Sequence, residues 1–184
     1  MPKQPPTDPK KRKGLIIVNT GDGKGKSTAS FGLALRAAGN KMNVFIMQFM
    51  KGPWKAGERK ALKELAEYVE YEAMGDGFTW DTENKEQDKK TARAAFELAK
   101  EKLMSGKYQM VILDEINYVI DYKFFPLDEL LETLRNKPKD VHIVCSGRNA
   151  NEKLIEMADL VTEMRLIKHP YEDQGIPAQK GIEF

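Results

Sequence analysis

Short apolar runs alternate with helix-like segments along most of the chain. Six runs have the length and aliphatic content of buried strands, and five longer segments between them have the character of helices. The predicted strands are Leu15 to Val18, Val44 to Met47, Val69 to Tyr71, Met110 to Leu113, Val141 to Cys145 and Leu160 to Met164. The predicted helices are Ser27 to Ala38, Glu58 to Glu67, Lys85 to Met104, Leu127 to Asn136 and Asn151 to Ala158.

This alternation predicts an α/β fold, because strands that alternate with helices form a parallel sheet covered on both faces. We expect a three-layer sandwich with a mostly parallel central sheet of about six strands. Its ligands should bind at the carboxyl ends of the strands. The chain has 184 residues, which suits one domain. Residues 1–13 are rich in proline and lysine and predict a flexible basic leader, and residues 14–184 predict the folded domain.

Composition excludes several classes of protein. Thirty basic and 28 acidic side chains leave a net charge of +2, so no overall field favours nucleic acid or a membrane surface. No apolar stretch approaches the roughly 20 residues of a membrane span, and the N-terminus has no apolar signal-peptide core, so we expect a cytoplasmic protein. The single cysteine, Cys145, excludes an internal disulfide and is expected to be a small buried apolar residue.

A glycine-rich run lies between the first predicted strand and the first predicted helix: Thr20-Gly21-Asp22-Gly23-Lys24-Gly25-Lys26-Ser27-Thr28. Its glycines free backbone N–H groups to wrap a triphosphate, and the helix N-terminus favours negative charge. Lys26 is placed to reach the phosphates and Ser27 to ligate magnesium. The run predicts a P-loop NTPase-like sandwich that binds a nucleoside triphosphate. A glycine-rich turn without a ligand is the alternative.

The loop departs from the usual spacing, which is a glycine, four residues and then Gly-Lys-Ser/Thr. In that register Thr20 replaces the first glycine, and counted from Gly21 the loop is one residue short. A shorter loop is expected to hold the phosphates in a different place or direction from the usual hydrolase. The spacing therefore weakens a generic ATPase interpretation and leaves nucleotide binding intact.

Two carboxylates follow the fourth predicted strand. Asp114 and Glu115 stand where the acidic partner of a phosphate loop ligates magnesium, directly or through water. Adjacent residues of a strand point to opposite faces, so one of the two is expected to face the metal. An alternative is that both acids cap the next segment. Further candidate contacts for the nucleotide are Lys51, Arg59 and Arg148, each of which has surface solvation as its default interpretation.

The connection after the third predicted strand contains Gly77-Phe78-Thr79-Trp80-Asp81. A turn does not require aromatic residues, so Phe78 and Trp80 are candidates for a platform or lid over a flat ligand. From composition alone, burial of both rings in the core is an equally good interpretation.

Taken in order, these segments resemble the P-loop type ATP:corrinoid adenosyltransferases from about Gly14 to the C-terminus. The shortened phosphate loop combined with Gly-Phe-Thr-Trp is the most specific part of the resemblance. The other matching segments are Gln48-Phe49-Met50-Lys51-Gly52, Gly57-Glu58-Arg59, Leu113-Asp114-Glu115, Ser146-Gly147-Arg148, Val161-Thr162-Glu163-Met164-Arg165 and Gly181-Ile182-Glu183-Phe184. One departure is the short leader, since the better-known members of the family carry a longer N-terminal helical extension that folds over the active site of a dimer partner.

The resemblance implies transfer of the 5′-deoxyadenosyl group of ATP to the cobalt of a reduced corrinoid, with release of triphosphate. Gly21, Asp22, Gly23, Lys24, Gly25, Lys26, Ser27 and Thr28 would hold the triphosphate. By the same resemblance Ser27 and Glu115 would ligate Mg²⁺, and Lys26 would stabilise the charge of the leaving group.

The family also implies a role for the two aromatic residues. Phe78 and Trp80 would press on the lower face of the corrinoid and displace its axial base, which makes cobalt(II) easier to reduce. Lys26, Phe78 and Trp80 are therefore the candidate catalytic residues. A reduced flavoprotein is the implied electron donor, and a homodimer the implied assembly.

Two other functions remain open at this point. A P-loop phosphotransferase or ATPase would need a base or a positioned water and would release ADP. A nucleotide-gated switch module would bind ATP without turnover under any redox condition.

Overall fold

The fold is described by a computed structural model that covers residues 12–50, 57–75 and 85–183. Its centre is a sheet of six strands, all parallel to their neighbours. The strands are β1 Ile16–Thr20, β2 Val44–Phe49, β3 Val69–Met74, β4 Met110–Asp114, β5 His142–Ser146 and β6 Leu160–Glu163. They lie in the order β3-β2-β4-β5-β1-β6. The predicted fold class and the six predicted strands are confirmed.

Seven helices occur in the part of the chain that the structure describes. They are α1 Lys26–Gly39, α2 Gly57–Lys63, α3 Lys85–Met104, α4 Ile116–Asp121, α5 Leu127–Arg135, α6 Glu152–Met157 and α7 Pro170–Gln174. The five predicted helices are all present, although α2 ends four residues before the predicted end. The short helices α4 and α7 were not predicted, because six or five residues are too few to show a helical period.

The two faces of the sheet bury different side chains because successive strand residues point in opposite directions. On one face Ile17 packs in a cluster with Phe31 and Ala34 of α1. On the other face Val18 belongs to a cluster that contains Phe96 of α3 and side chains of α4, α5 and α6. Helices therefore cover both faces, which confirms the three-layer sandwich.

The sheet order determines which strand ends are neighbours. Strand β5 lies between β1 and β4, with Asn19 opposite Ser146 and Leu113 opposite Cys145. On the far side of β4, Asp114 is opposite Gln48. Since all the strands are parallel, their carboxyl ends meet at one edge of the sheet. The phosphate loop, the acidic pair and the residues after Ser146 are thus brought to the same edge.

The start of the folded domain is anchored to the opposite edge of the sheet. Gly14 N–H donates to Lys139 O at 2.7 Å, and a Cβ at Gly14 would lie 2.1 Å from Val141 O. Lys13, which the sequence places in the leader, pairs with Asp159. Residues 1–11, which carry the rest of the predicted leader, lie outside the described residues.

Cys145 has no exposed surface, and burial raises the pKa of its thiol to about 12. The expectation that it is a small buried apolar residue is confirmed. Within residues 12–50, 57–75 and 85–183, no helix has the length and apolar character needed to cross a membrane.

Candidate active site

The phosphate loop begins one residue later than the usual pattern places it. Thr20 is the last residue of β1, and its Oγ1 accepts a hydrogen bond from the Ala150 N–H at 3.1 Å. Gly21 takes the first positive φ of the loop, +92°, which is costly for residues with a Cβ. Thr20 therefore has a strand conformation and a side-chain contact, and the shortened loop runs from Gly21.

The loop packs against the residue that follows β6. Gly23 N–H donates to Met164 O at 2.6 Å, and Met164 N–H donates to Thr20 O at 2.8 Å. A Cβ would lie 2.5 Å from Met164 O at Gly21 and 2.7 Å from it at Gly23. Close backbone approach therefore requires both glycines. Sequence reasoning missed this support, because no local signal says that β6 is the neighbour of β1.

The first turn of α1 follows the loop directly. Gly25 is its N-cap, with φ +104°, and the first turn carries no acidic side chain. Ser27 lies half-buried in that turn. A helix of 14 residues presents partial positive charge at this end, so the loop and the helix together favour an anion.

Lys26 lies inside the loop. Its Nζ donates to Gly21 O and Gly23 O, both at 2.7 Å, and the residue is only 8% exposed. Burial lowers the pKa of its ammonium; the negative charge of Glu115 opposes this shift, and the positive charge of Arg148 adds to it. The charges of Glu115 and Arg148, which come from other segments of the chain, thus act on Lys26.

The two adjacent acids have different environments. Asp114 has no exposed surface, and its carboxylate accepts from Gln48 Nε2 at 2.6 Å and from Ser146 Oγ at 2.5 Å. Glu115 is partly exposed and follows the strand with φ +66°. Its backbone N–H donates to Ser146 Oγ at 3.1 Å. Of the two acids, Glu115 is the one whose negative charge raises the pKa of Lys26.

The turn after β5 packs against the turn after β4. Gly147 has φ +127°, and a Cβ there would lie 3.1 Å from Asn117 Cβ and 3.2 Å from Glu115 Oε2. Asn117 Nδ2 donates to Gly147 O at 3.0 Å, whereas Asn117 Oδ1 is buried without a partner among the described residues. Gly147 therefore allows the Glu115 carboxylate to lie beside the turn that leads to Arg148.

Arg59 is placed differently from the other predicted phosphate contacts. Its guanidinium carbon lies 5.4 Å from the centroid of the Tyr71 ring, on which it makes a cation–π contact. It is not among the described charges that shift the pKa of Lys26. Lys51, Phe78 and Trp80 lie outside the described residues, so their predicted roles stay predictions.

The C-terminal segment reaches the loop. Lys24 Nζ forms an ion pair with Glu183 Oε2 at 2.7 Å. Both residues lie at the surface, with the side chain of Lys24 53% exposed and that of Glu183 22% exposed. Glu183 lies 159 positions from Lys24 in the chain, so only the tertiary structure places its charge at the site.

Comparison with known proteins identifies the family. The model of the ATP:corrinoid adenosyltransferases BtuR/CobO/CobP matches residues 12–184. A corrinoid adenosyltransferase of a Sinorhizobium species is 47% identical over 94% of this chain and 81% of its own length. The Escherichia coli K12 corrinoid adenosyltransferase is 42% identical over 94% of this chain and 86% of its own length. Corrinoid adenosyltransferase CobA of Salmonella typhimurium is 41% identical over the same shares.

Among solved structures, domain III of the Thermotoga maritima replication initiation protein DnaA covers 85% of this chain. The chain covers 56% of that protein, with a TM-score of 0.42 and 16% identity, and this weak likeness adds nothing to the assignment. The sequence relatives and the family model agree over nearly the whole chain. This chain therefore belongs to the ATP:corrinoid adenosyltransferase family.

Proposed function

We propose that this chain transfers the 5′-deoxyadenosyl group of ATP to the cobalt of a reduced corrinoid and releases triphosphate. Membership of the family supports ATP and a corrinoid as the two substrates. The observation that carries the proposal is the glycine loop at the N-terminus of α1, where Lys26 Nζ donates to two loop carbonyls and is acted on by the charges of Glu115 and Arg148. That combination of fixed dipoles, cations and one carboxylate suits a triphosphate accompanied by a divalent metal.

The loop residues Gly21 to Thr28 hold the triphosphate in this proposal. Lys26 already donates to two carbonyl oxygens of the loop, and a phosphate oxygen is a stronger acceptor because it is charged. Arg148 follows the turn at Gly147 and supplies a second cation at the same edge. Arg59 and Lys51 are the remaining candidate contacts, and Arg59 belongs to the Tyr71 side of the site.

The bond changes require no proton transfer. The electron pair of cobalt(I) attacks the ribose 5′-carbon, the cobalt–carbon bond forms, and the bond from that carbon to the triphosphate oxygen breaks. Its electron pair leaves with the triphosphate. Negative charge therefore grows on the leaving oxygen, where backbone N–H groups of the loop and Lys26 would stabilise it.

Ser27 and Glu115 would hold Mg²⁺. A hydroxyl and a carboxylate are the hard oxygen donors that this ion prefers, and Mg²⁺ binds through few protein ligands together with phosphate oxygens. Glu115 fits this role because it is partly exposed and its charge acts on Lys26, whereas Asp114 has no exposed surface. When bound, the metal would neutralise charge on the triphosphate.

The candidate corrinoid contacts, Phe78 and Trp80, lie outside the described residues. By family resemblance, Phe78 and Trp80 crowd the lower face of the ring and favour the four-coordinate cobalt(II) that a weak reductant can reduce. A reduced flavoprotein is the proposed electron donor, a homodimer the proposed assembly, and the cytoplasm the proposed compartment.

An anaerobic incubation with Mg-ATP and chemically reduced cobalamin tests this function. The corrinoid spectrum and the phosphate product are followed together. Adenosylcobalamin formed with intact triphosphate in equal amounts is the expected result. Formation of ADP without an alkylated corrinoid would instead indicate a phosphotransferase or ATPase, and ATP binding without any turnover would indicate a switch module.

A further inference from the structure

A hydrogen-bond network that includes Asp114 runs across four neighbouring strands and reaches the proposed metal ligand. Tyr71 of β3 donates its hydroxyl to Gln48 Oε1 on β2. Gln48 Nε2 donates to Asp114 Oδ2 on β4 at 2.6 Å, and Ser146 Oγ on β5 donates to Asp114 Oδ1 at 2.5 Å. The backbone N–H of Glu115 donates to the same Ser146 oxygen at 3.1 Å. This hydrogen-bond network therefore ends at the backbone N–H of Glu115.

The burial of this hydrogen-bond network argues against a direct metal contact for Asp114. Asp114 and Ser146 have no exposed surface and Gln48 is 1% exposed. Each carboxylate oxygen of Asp114 accepts a hydrogen bond from a neighbouring strand. Burial raises the pKa of the Tyr71 hydroxyl to about 12, so it keeps its proton at neutral pH. The Tyr71 hydroxyl thus remains a hydrogen-bond donor to Gln48 near neutral pH.

Glu115 needs such support because of its backbone. Its φ of +66° is the left-handed region, which non-glycine residues occupy at a cost of about 1 kcal/mol or more. The Ser146 hydroxyl accepts from its N–H, and Gly147 leaves room for its carboxylate. These contacts therefore stabilise the Glu115 turn in a backbone conformation that is otherwise disfavoured.

We propose that Asp114 is a positioning residue that acts through Ser146: it orients the serine hydroxyl, which holds the strained Glu115 turn with its carboxylate toward the phosphate loop. This inference rests on the proposed role of Glu115 as a magnesium ligand. It assigns the two adjacent acids different tasks, one binding the metal and the other setting the geometry of its neighbour. Partners behind a metal ligand typically change metal affinity by about 10- to 100-fold when removed.

Three substitutions separate the roles. Ser146→Ala removes the shared hydroxyl. Asp114→Asn keeps an oxygen that accepts from the Ser146 hydroxyl. The Gln48 side-chain amide can flip, so that its oxygen accepts from the new Asn amide and its NH₂ group donates to the Tyr71 hydroxyl oxygen. Glu115→Gln removes the charge of the proposed ligand itself. Thr133→Val is the matched control, because Thr133 is a buried hydroxyl on α5 whose Oγ1 bonds only Glu129 O among the described residues.

The measurement is Mn²⁺ binding to the full chain with saturating ATP, in which free Mn²⁺ is followed by electron paramagnetic resonance. It needs no corrinoid and no turnover. Mn²⁺ affinity should fall about 10-fold in Ser146→Ala, and more in Glu115→Gln, while Asp114→Asn stays within about threefold of wild type. Thr133→Val should bind as wild type. The dependence of adenosylation on Mg²⁺ should follow the same order.

Two results would overturn the inference. Wild-type Mn²⁺ affinity in Ser146→Ala would mean that the serine does not support Glu115. A loss of Mn²⁺ affinity in Asp114→Asn as large as that in Glu115→Gln would indicate that Asp114 is a direct ligand. If Ser146→Ala does not fold, Asp114→Ala, which removes the acceptor of the serine hydroxyl, takes its place, and wild-type Mn²⁺ affinity in that variant would overturn the positioning role. The comparison of Asp114→Asn with Glu115→Gln decides only whether Asp114 is a direct ligand. Failure of the wild type to form adenosylcobalamin would contradict the proposed function and leave the Mn²⁺ comparison readable.

Discussion

Lys24 and Glu183 form an ion pair of 2.7 Å that joins the phosphate loop to the C-terminal segment of the chain. The carboxylate offsets a positive charge at the proposed triphosphate site. We expect Glu183→Gln to lower the KM for ATP by about two- to fivefold at low ionic strength, because exposed ion pairs are worth only a small factor. The thermal unfolding midpoint should change little.

Steady-state kinetics at two salt concentrations check this prediction, since added salt should reduce the difference between the variant and wild type. Glu86→Gln is the control, because Glu86 pairs with Lys89 on α3. A higher KM for ATP in Glu183→Gln would mean that the ion pair with Glu183 helps the phosphate loop to bind ATP, instead of weakening the attraction between Lys24 and the triphosphate.

Lys26→Ala should reduce kcat/KM for adenosylation by about 10²- to 10³-fold, the usual effect of removing one preorganised donor from a developing negative charge. Lys26 is the buried cation of the loop, whereas Lys24 is exposed. Lys24→Ala should therefore cost much less. Rates are measured with chemically reduced cobalamin, and normal turnover by Lys26→Ala would refute the assignment of the site.

Gly147→Ala should lower both stability and activity. The new Cβ would have to occupy φ +127° and would crowd Asn117 Cβ and Glu115 Oε2 at 3.1 and 3.2 Å. We expect a loss of about 2–4 kcal/mol in the free energy of unfolding. The variant should also bind the metal more weakly, so that the reaction needs a higher Mg²⁺ concentration.

Gly106→Ala serves as the control for Gly147→Ala. Gly106 has φ +72°, and a Cβ there would meet nothing within 4 Å. Its cost should be about 1–2 kcal/mol, from the backbone alone, with unchanged activity. Equal losses in the two variants, measured by chemical denaturation, would show that crowding at Gly147 contributes nothing.

His142 predicts a pH dependence of stability. Its Nδ1 accepts from the Leu15 N–H at 3.1 Å, and burial followed by the charge of Lys137 lowers the pKa of the ring below 6.5. The unfolded chain then binds the proton at higher pH than the folded chain. Stability is fully present above about pH 6.5 and falls as the pH drops toward the folded pKa.

Denaturation midpoints measured at several pH values between 7.5 and 5 test this sign. His142→Asn keeps an acceptor for Leu15 and removes the titration, so its stability should fall less over the same range. An identical decline in the variant would assign the dependence to other groups.

Trp80→Ala and Phe78→Ala should impair the reaction that starts from cobalt(II) much more than the reaction that starts from cobalt(I). The physical reason is the proposed crowding of the lower corrinoid face, which affects reduction before alkyl transfer. Parallel assays with an enzymatic reductant and with pre-reduced cobalamin measure the two rates. Equal losses in both assays would indicate that the aromatic residues have a packing role.

Local sequence was sufficient to determine the layers of the fold and the nature of its main ligand. Apolar runs predicted all six strands; β1, β2, β4 and β5 are apolar nearly throughout because they are buried on both faces, whereas β3 and β6 lie at the edges of the sheet and are more exposed. Glycine spacing and the following helix predicted the loop that begins at Gly21, because φ values and a helix N-terminus depend on neighbouring residues. The ordered motifs predicted the family to which the chain belongs.

Tertiary structure alone decided which distant groups meet at the site. The order of the strands is not encoded in any single run, so the support of the loop by Met164 and the contact of Glu183 with Lys24 had no local signal. The same holds for Asp114 and Glu115, which are adjacent and chemically alike in the sequence. Asp114 accepts hydrogen bonds from Gln48 and Ser146, which neighbouring strands supply. Glu115 leaves the strand with a positive φ, and its charge acts on Lys26.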